Sequence, residues 1–138
     1  MEKKDMSRRN FIKAAGTAAS AVTIATTFSP LAYAQNEKIR VASIGTGGQG
    51  SFHLRDGLGR AENVQIVAVC DVYKPHLEGG YRQAGGGDIK QYMDYREMLD
   101  KEAIDAVCIA TPLNTHYQIT MDCLEAGKDC FTEKTLCY

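Results

Sequence analysis

The sequence predicts an α/β fold with a doubly wound parallel sheet. Three observations lead to this prediction. After residue 36, apolar runs of strand character alternate with helix-like segments; the first run ends in Gly45-x-Gly47-x-x-Gly50, and the second ends at Asp71. Parallel neighbouring strands need a crossover connection, so a β-α-β-α-β order predicts one parallel sheet with right-handed crossovers.

The first half of the pattern contains two strands and two helices. Ile39–Ile44 is the first predicted strand, and Gln49–Gly59 is the first helix. Val64–Cys70 has few polar residues, as expected of a parallel strand that is covered on both faces. Lys74–Gln83 is predicted to be a short helix that ends before the glycines at 85–87.

The second half continues the alternation. Ile89–Tyr92 is predicted to be a short third strand, and Tyr95–Lys101 a helix capped by Asp94, whose side chain can accept from the first turn. Ala106–Ala110 is the fourth strand and Asp129–Glu133 the fifth.

The helix between the last two strands is predicted from its apolar spacing. Tyr117, Met121 and Leu124 recur at intervals of four and three, which predicts a helix with one apolar face. Gly127 follows as the residue that ends the helix.

The glycine turn after the first strand predicts a dinucleotide site. Gly45 permits a sharp turn, Gly47 leaves room for a pyrophosphate, and Gly50 lets the next helix pack close to the sheet. Asp71 lies 21 residues after Gly50, near the roughly 20 expected of a carboxylate that binds the ribose hydroxyls of NAD. This carboxylate would repel a 2′-phosphate, so NAD is favoured, while Lys74 leaves NADP open.

Two more polar segments are expected at the same edge of the sheet. Thr111–His116 follows the fourth strand, and Thr132–Thr135 lies at the end of the fifth. Ligands of open α/β sheets bind outside the carboxyl ends of the strands. These segments and the glycine turn are therefore expected to line one site.

Four features make the chain resemble the N-terminal half of the Gfo/Idh/MocA family, the glucose–fructose oxidoreductase and inositol dehydrogenase group. They are Ile44-Gly-Thr-Gly-Gly-Gln-Gly50, Asp71, Thr111-Pro112-x-x-x-His116, and Ala126-Gly127-Lys128 leading to Glu133-Lys134. The resemblance covers Lys38 to about Tyr138. It implies a Rossmann-type domain, NAD (or NADP) as cofactor, and a small sugar or polyol as substrate.

The resemblance also implies roles for individual residues. Lys134 would lie at the nicotinamide and help to move the proton of the substrate hydroxyl, while hydride passes between the substrate carbon and the ring. The implied cofactor-binding residues are Gly45, Thr46, Gly47, Gly48, Gln49, Gly50, Asp71, Thr111, Pro112, His116 and Glu133.

The residues alone leave simpler interpretations open. Without the motif, Lys134 would be interpreted as a solvated lysine at a strand end, and His116 as a helix cap or packing residue. His53 and His76 have no supporting context and are predicted to lie on the surface.

Two positions depart from the family pattern. Thr135 stands where the family has a proline, often with a cis peptide bond; for other residues the cis form costs roughly 2.5–4 kcal/mol. Leu113 follows Pro112 where the family commonly has a polar residue.

Residues 1–34 have the features of a twin-arginine export signal. A basic start contains Ser7-Arg8-Arg9-Asn10-Phe11-Ile12-Lys13, an Ala- and Thr-rich stretch runs from Ala14 to Phe28, and Ala32-Tyr33-Ala34 predicts cleavage after Ala34. An amphipathic anchor or an uncleaved span is the alternative, but the stretch is too polar for a span of about 20 apolar residues. A periplasmic or otherwise exported protein is predicted, with the twin-arginine machinery as partner.

Residues 35–138 form the predicted nucleotide-binding domain, which has 11 Lys or Arg and 15 Asp or Glu residues. Without a basic patch or a groove-reading motif, nucleic acid is not predicted as a partner. Cys70 and Cys108 lie in apolar runs and are predicted to be buried thiols. Cys123, Cys130 and Cys137 are placed on a helix, a strand and a loop, so no metal site is predicted.

The resemblance leaves three functions open. Family members continue with a second α/β domain that covers the sugar, so this chain is expected to be truncated or incomplete and to bind NAD without efficient catalysis. The full-length protein is compatible with a homo-oligomer. An exported oxidoreductase is the leading hypothesis; the alternatives are a glycoside hydrolase acting through transient oxidation with bound NAD, and a non-catalytic dinucleotide-binding module.

Overall fold

In a computed structural model, which describes residues 38–136, five parallel strands form one sheet in the order β3-β2-β1-β4-β5. The strands are β1 Ile39–Ile44, β2 Val64–Cys70, β3 Lys90–Tyr92, β4 Ala106–Ile109 and β5 Asp129–Thr132. The strand order reverses beside β1, because β2 and β4 lie on its two sides. The predicted doubly wound parallel sheet is confirmed.

Four α-helices connect the strands: α1 Gly48–Phe52, α2 Lys74–Gln83, α3 Tyr95–Lys101 and α4 Leu113–Glu125. The predictions for α2 and α3 are confirmed at both ends, and the Asp94 carboxylate accepts from the N–H of Arg96 at 2.9 Å.

The first helical segment differs from the prediction of one helix over Gln49–Gly59. A π-helical turn at His53–Gly57 and a 3-10 turn at Leu58–Arg60 follow the short α1. The periodicity of apolar residues cannot separate these two forms from an α-helix, because each differs from the α-helix by only one residue in hydrogen-bond span.

The helix predicted between β4 and β5 is present, but its predicted apolar face is not the face that α4 buries. Tyr117 and Leu124 are 59% and 51% exposed, and the buried residues of α4 are His116, Ile119, Thr120 and Cys123. The spacing is helical, but the buried face is rotated from the predicted one. The reason is that His116 and Thr120 have hydrogen-bond partners inside the protein, which makes burial of polar side chains tolerable.

Apolar side chains cover both faces of the sheet. On one face α3 and α4 pack on the larger core, which includes Ala42, Ile44, Ala68, Met98, Ile104, Val107, Ile109, Ile119 and Cys123. On the other face, Leu54 of the π-helical turn and Leu77 of α2 pack around Val69. Two covered faces are what a parallel sheet requires.

The cysteines of the described residues are free thiols. Cys70 and Cys108 are buried as predicted, and burial raises the pKa of Cys70 to about 12 and that of Cys108 to about 11. Cys123 lies on α4 and Cys130 on β5, as predicted. Cys137 lies outside the described residues.

The predicted export signal at residues 1–34 also lies outside the described residues. Among residues 38–136, no helix has the length and apolar character needed to cross a membrane. The same residues contain no group of three or more His, Cys, Asp or Glu side chains that could hold a metal ion.

Two neighbouring glycines of α2 allow a matched test of how this helix packs on the turn after β1. A Cβ atom at Gly80 would lie 2.4 Å from Thr46 Cβ, whereas one at Gly79 would meet nothing within 4 Å. We expect Gly80→Ala to lower the free energy of unfolding by about 1–3 kcal/mol through overpacking. Gly79→Ala should raise it by about 0.5–1 kcal/mol, because alanine favours the helix. Urea denaturation measures both, and equal effects would contradict the packing.

Candidate functional site

A cleft of about 750 Å³ opens at the carboxyl ends of β1, β2 and β4. Five residues predicted to bind the cofactor line it: Gly45, Gly47, Asp71, Thr111 and Pro112. The cleft lies where the strand order reverses, and open α/β sheets bind ligands at this position. The structure therefore brings the glycine turn and the Asp71 carboxylate into one concave site.

The glycine turn is shaped by two close backbone approaches. Gly45 has φ +83°, and a Cβ atom there would lie 2.7 Å from the backbone of Ala110. A Cβ atom at Gly50 would lie 1.8 Å from the carbonyl oxygen of Gly45. Neither position can accept a side chain without a shift of the backbone. Gly48 differs, because a Cβ atom there would meet nothing within 4 Å.

Asp71 lines the cleft and accepts hydrogen bonds from two backbone N–H groups. Its Oδ2 accepts from the N–H of Thr46 at 2.8 Å, and its Oδ1 accepts from the N–H of Tyr73 at 2.8 Å. His76 Nδ1 lies 3.7 Å from Oδ2. Each carboxylate oxygen has two lone pairs, so Asp71 retains capacity to accept from ribose hydroxyls.

Thr46, which was predicted to bind the cofactor, lies beneath the turn and is 1% exposed. Its hydroxyl donates to the carbonyl of His76 at 2.8 Å, and its N–H binds Asp71. Ser51 Oγ donates in turn to the Thr46 carbonyl at 2.8 Å. The described contacts of Thr46 therefore connect the turn after β1 with α1, α2 and the residue that follows β2.

An apolar wall beside Asp71 was not predicted from the sequence. Val72, Tyr73 and Met93 line the cleft and are 80%, 57% and 55% exposed. His76 packs edge-on against Tyr73, with ring centroids 4.9 Å apart. Such a wall can hold the flat ring of a nucleobase. The sequence signal that could have predicted this wall is position, because these apolar residues lie just after the ends of β2 and β3.

His116 is buried in the protein, with 1% of its surface exposed. Its Nε2 lies 2.7 Å from the carbonyl oxygen of Thr111, and its Nδ1 lies 3.0 Å from that of Thr135. A neutral imidazole donates to one of these oxygens and a protonated one to both. His116 thus connects the segments after β4 and β5; its predicted contact with the cofactor stays a prediction.

A second polar cluster lies at the end of β5. The Glu133 carboxylate is 2.6 Å from His53 Nε2 and 3.3 Å from Gln49 Nε2. Hydrogen bonding from His53 lowers the pKa of Glu133 from its ordinary value, against the opposing effect of burial. The prediction that His53 is a surface residue is wrong, since its side chain is only 16% exposed. His76 is exposed as predicted.

Lys134 follows Glu133 and is exposed, outside the residues that line the cleft. Its backbone N–H donates to Glu133 Oε2 at 3.3 Å, and the peptide bond between Lys134 and Thr135 is cis. The predicted site residues therefore do not all line the cleft. Gln49 of α1, Glu133 and Lys134 form a separate group near the end of β5, and Thr46 and His116 are buried.

Comparison with known proteins gives a consistent family. The model of an oxidoreductase family with an NAD-binding Rossmann fold, GFO_IDH_MocA, matches residues 39–137. A glycosyl hydrolase family 109 protein of Stenotrophomonas maltophilia is 35% identical over 134 residues, covering 88% of this chain and 28% of that protein. Inositol 2-dehydrogenase of Rubrobacter xylanophilus is 31% identical over 101 residues, covering 73% and 28%.

Solved structures agree with this comparison. Myo-inositol 2-dehydrogenase of Lactobacillus plantarum has a TM-score of 0.67 and 33% identity, over 73% of this chain and 29% of that one. Scyllo-inositol dehydrogenase of Lactobacillus casei, solved with NAD(H) and scyllo-inositol, has a TM-score of 0.67 and 26% identity over the same shares. The chain thus spans less than a third of the length of these relatives.

Proposed function

The chain belongs to the Gfo/Idh/MocA oxidoreductase family, and on this premise we propose that it is the NAD-binding part of an oxidoreductase for sugars or polyols. The cleft that holds the glycine turn beside Asp71 carries the proposal. The inositol dehydrogenases among the relatives support a polyol as substrate. The proposed reaction is the oxidation of a CH–OH group, for which NAD would supply the hydride acceptor when bound in the cleft.

Each part of the cleft has a task in this proposal. Asp71 accepts hydrogen bonds from the ribose hydroxyls of the adenosine half, and Val72, Tyr73 and Met93 pack against the base. The first N–H groups of α1 lack partners within the helix and would hold the pyrophosphate at the glycine turn.

Lys134 is proposed to move the proton of the substrate hydroxyl. Oxidation of an alcohol removes a proton as well as a hydride, so a group that can accept and return a proton must lie at the hydroxyl. Lys134 is exposed after the end of β5, next to Glu133, whose carboxyl pKa is lowered by the hydrogen bond from His53. Its position after Glu133 matches the lysine of the family motif.

Cofactor choice is the first test. We expect the chain to bind NADH more tightly than NADPH, because the Asp71 carboxylate repels a 2′-phosphate. Asp71→Asn keeps the size of the side chain and removes its charge. The ratio of the NADPH to the NADH dissociation constant should therefore fall by about tenfold. Titration calorimetry with both cofactors measures the ratio, and Asp88→Asn serves as a control for charge alone. An unchanged ratio in Asp71→Asn would mean that Asp71 does not select the cofactor.

The role of Lys134 can be tested in a chimera. Residues 39–136 would replace the matching segment of the Lactobacillus plantarum myo-inositol 2-dehydrogenase. We expect this chimera to oxidise myo-inositol with NAD, and Lys134→Ala to lower kcat by about 10²-fold or more, the range of general acid–base catalysis. Lys128→Ala is the control. A chimera that binds NADH without turnover would favour the non-catalytic module, and full activity in Lys134→Ala would refute the proposed role.

A glycoside hydrolase is the second candidate, because a family 109 relative is 35% identical across 88% of the chain. In that case the hydride returns to the sugar, so sugar is released without net NADH. To separate the two functions, residues 39–136 would replace the matching segment of the Stenotrophomonas maltophilia protein, and both the released sugar and the NADH would be measured.

We also propose that the protein is exported by the twin-arginine machinery, as Arg8-Arg9 and the Ala32–Ala34 cleavage pattern support. In a bacterium with this machinery, Arg8→Lys with Arg9→Lys should retain the protein in the cytoplasm. Lys3→Arg with Lys4→Arg keeps the arginine pair and should leave export unchanged. Cell fractionation measures both, and export of the first variant would exclude this route.

A further inference from the structure

Three groups from two segments surround the Glu133 carboxylate at the end of β5. His53 Nε2 lies 2.6 Å from Oε1, and Gln49 Nε2 lies 3.3 Å from the same oxygen. The backbone N–H of Lys134 donates to Oε2 at 3.3 Å. Glu133 is therefore connected both to the helical segment after the glycine turn and to the turn that carries Lys134.

The ionised carboxylate determines the direction of these bonds. A carboxylate only accepts, so His53 Nε2 must carry the proton that it donates. Gln49 Nε2 is 3.4 Å from His53 Nε2, and both atoms are then donors that share Oε1 as acceptor. Hydrogen bonds to a charged acceptor are stronger than those between neutral groups.

Two aromatic rings pack on His53. The ring of Phe52 lies 5.9 Å away at 65°, and that of Phe131 lies 5.5 Å away at 82°, both edge-to-face. His53 also begins the π-helical turn, a form of helix that is often found at functional sites. This packing gives the imidazole a defined orientation toward Glu133.

The strand order relates this cluster to the cleft. β2, which leads to Asp71, and β5, which leads to Glu133, lie on opposite sides of β1 and β4. A dinucleotide with its adenosine ribose at Asp71 and its pyrophosphate at the glycine turn extends its second nucleotide toward the end of β5. Gln49 and His53 connect the glycine turn to that end.

We propose that His53 is a positioning residue for the nicotinamide half of the cofactor, holding Glu133 and the turn that carries Lys134 in register with the glycine turn. This inference rests on the proposed function, because it takes a dinucleotide as the ligand. His53 acts through Glu133 and does not contact the reacting atoms. Gln49 also binds Glu133, and His116 lies at the Thr135 carbonyl of the same turn, so loss of His53 removes one of three side-chain attachments described for it.

The test compares NADH with ADP-ribose, which lacks the nicotinamide, on the purified 138-residue chain. In titration calorimetry, we expect His53→Phe to weaken NADH binding about tenfold, as for a lost hydrogen bond to a charged group. ADP-ribose binding should change by less than about twofold, because its contacts lie on the other side of the turn. His53→Gln restores an N–H donor and should keep NADH binding within about threefold of wild type.

A matched control is available at the opposite edge of the sheet. Asp105, which lies just before β4, accepts from Arg40 Nη2 at 2.6 Å. Asp105→Asn weakens this charge-assisted contact, which lies far from the cleft and from Glu133. The affinities for NADH and for ADP-ribose should therefore stay unchanged. Glu133→Gln removes the charge of the acceptor in the same hydrogen bond with His53. This variant takes the place of His53→Phe if circular dichroism shows that His53→Phe is unfolded.

The outcomes separate the two proposals. Unchanged NADH binding in His53→Phe, or an equal loss for NADH and ADP-ribose, overturns the positioning role while the proposed function stands. If the wild-type chain binds neither ligand, the proposed function fails first and the positioning role fails with it.

Discussion

The close approach of Gly50 to the carbonyl oxygen of Gly45 is the constraint on which the rest of the site depends. With no side chain at either residue, the turn fits against β4, and the N–H of Gly45 donates to the Cys70 carbonyl at 2.8 Å. The N–H of Thr46 can then reach Asp71. The same turn starts the helical segment from which Gln49 and His53 reach Glu133. One backbone contact thus sets the position of both the cleft and the β5 cluster.

The fold could be predicted almost completely from the sequence, because its signals are local. Apolar runs marked all five strands to within one residue, and Asp94 and the glycines marked helix ends. The buried face of α4 could not be predicted from hydropathy. His116 and Thr120 are polar, and their burial depends on hydrogen-bond partners supplied by Thr111, Thr135 and Thr132. Such partners are distributed along the chain, and no local pattern reveals them.

The site was predictable where its residues lie next to strand ends and not where they meet by tertiary packing. Gly45 and Asp71 each follow a strand directly, Pro112 lies three residues after the end of β4, and the topology brings them together. His53 and Glu133 are 80 residues apart in sequence. Their contact requires both the π-helical turn and the place of β5 beside β4, so the sequence offered only an isolated histidine near the glycine motif.

The two sides of the site differ in what holds them in place. Asp71 follows a strand with neighbours on both sides, and its own N–H donates to the Tyr92 carbonyl at 3.1 Å. β5 is the last strand of the described sheet, and beyond the bond from Glu133 N–H to the Ile109 carbonyl no further ladder bond is described for the turn. Side-chain hydrogen bonds also hold this turn: His53 binds Glu133, and His116 faces the Thr135 carbonyl. Because the side chains of His53, Gln49 and His116 supplement this single backbone bond, the orientation of the turn that carries Lys134 depends on side-chain hydrogen bonds that single substitutions can remove.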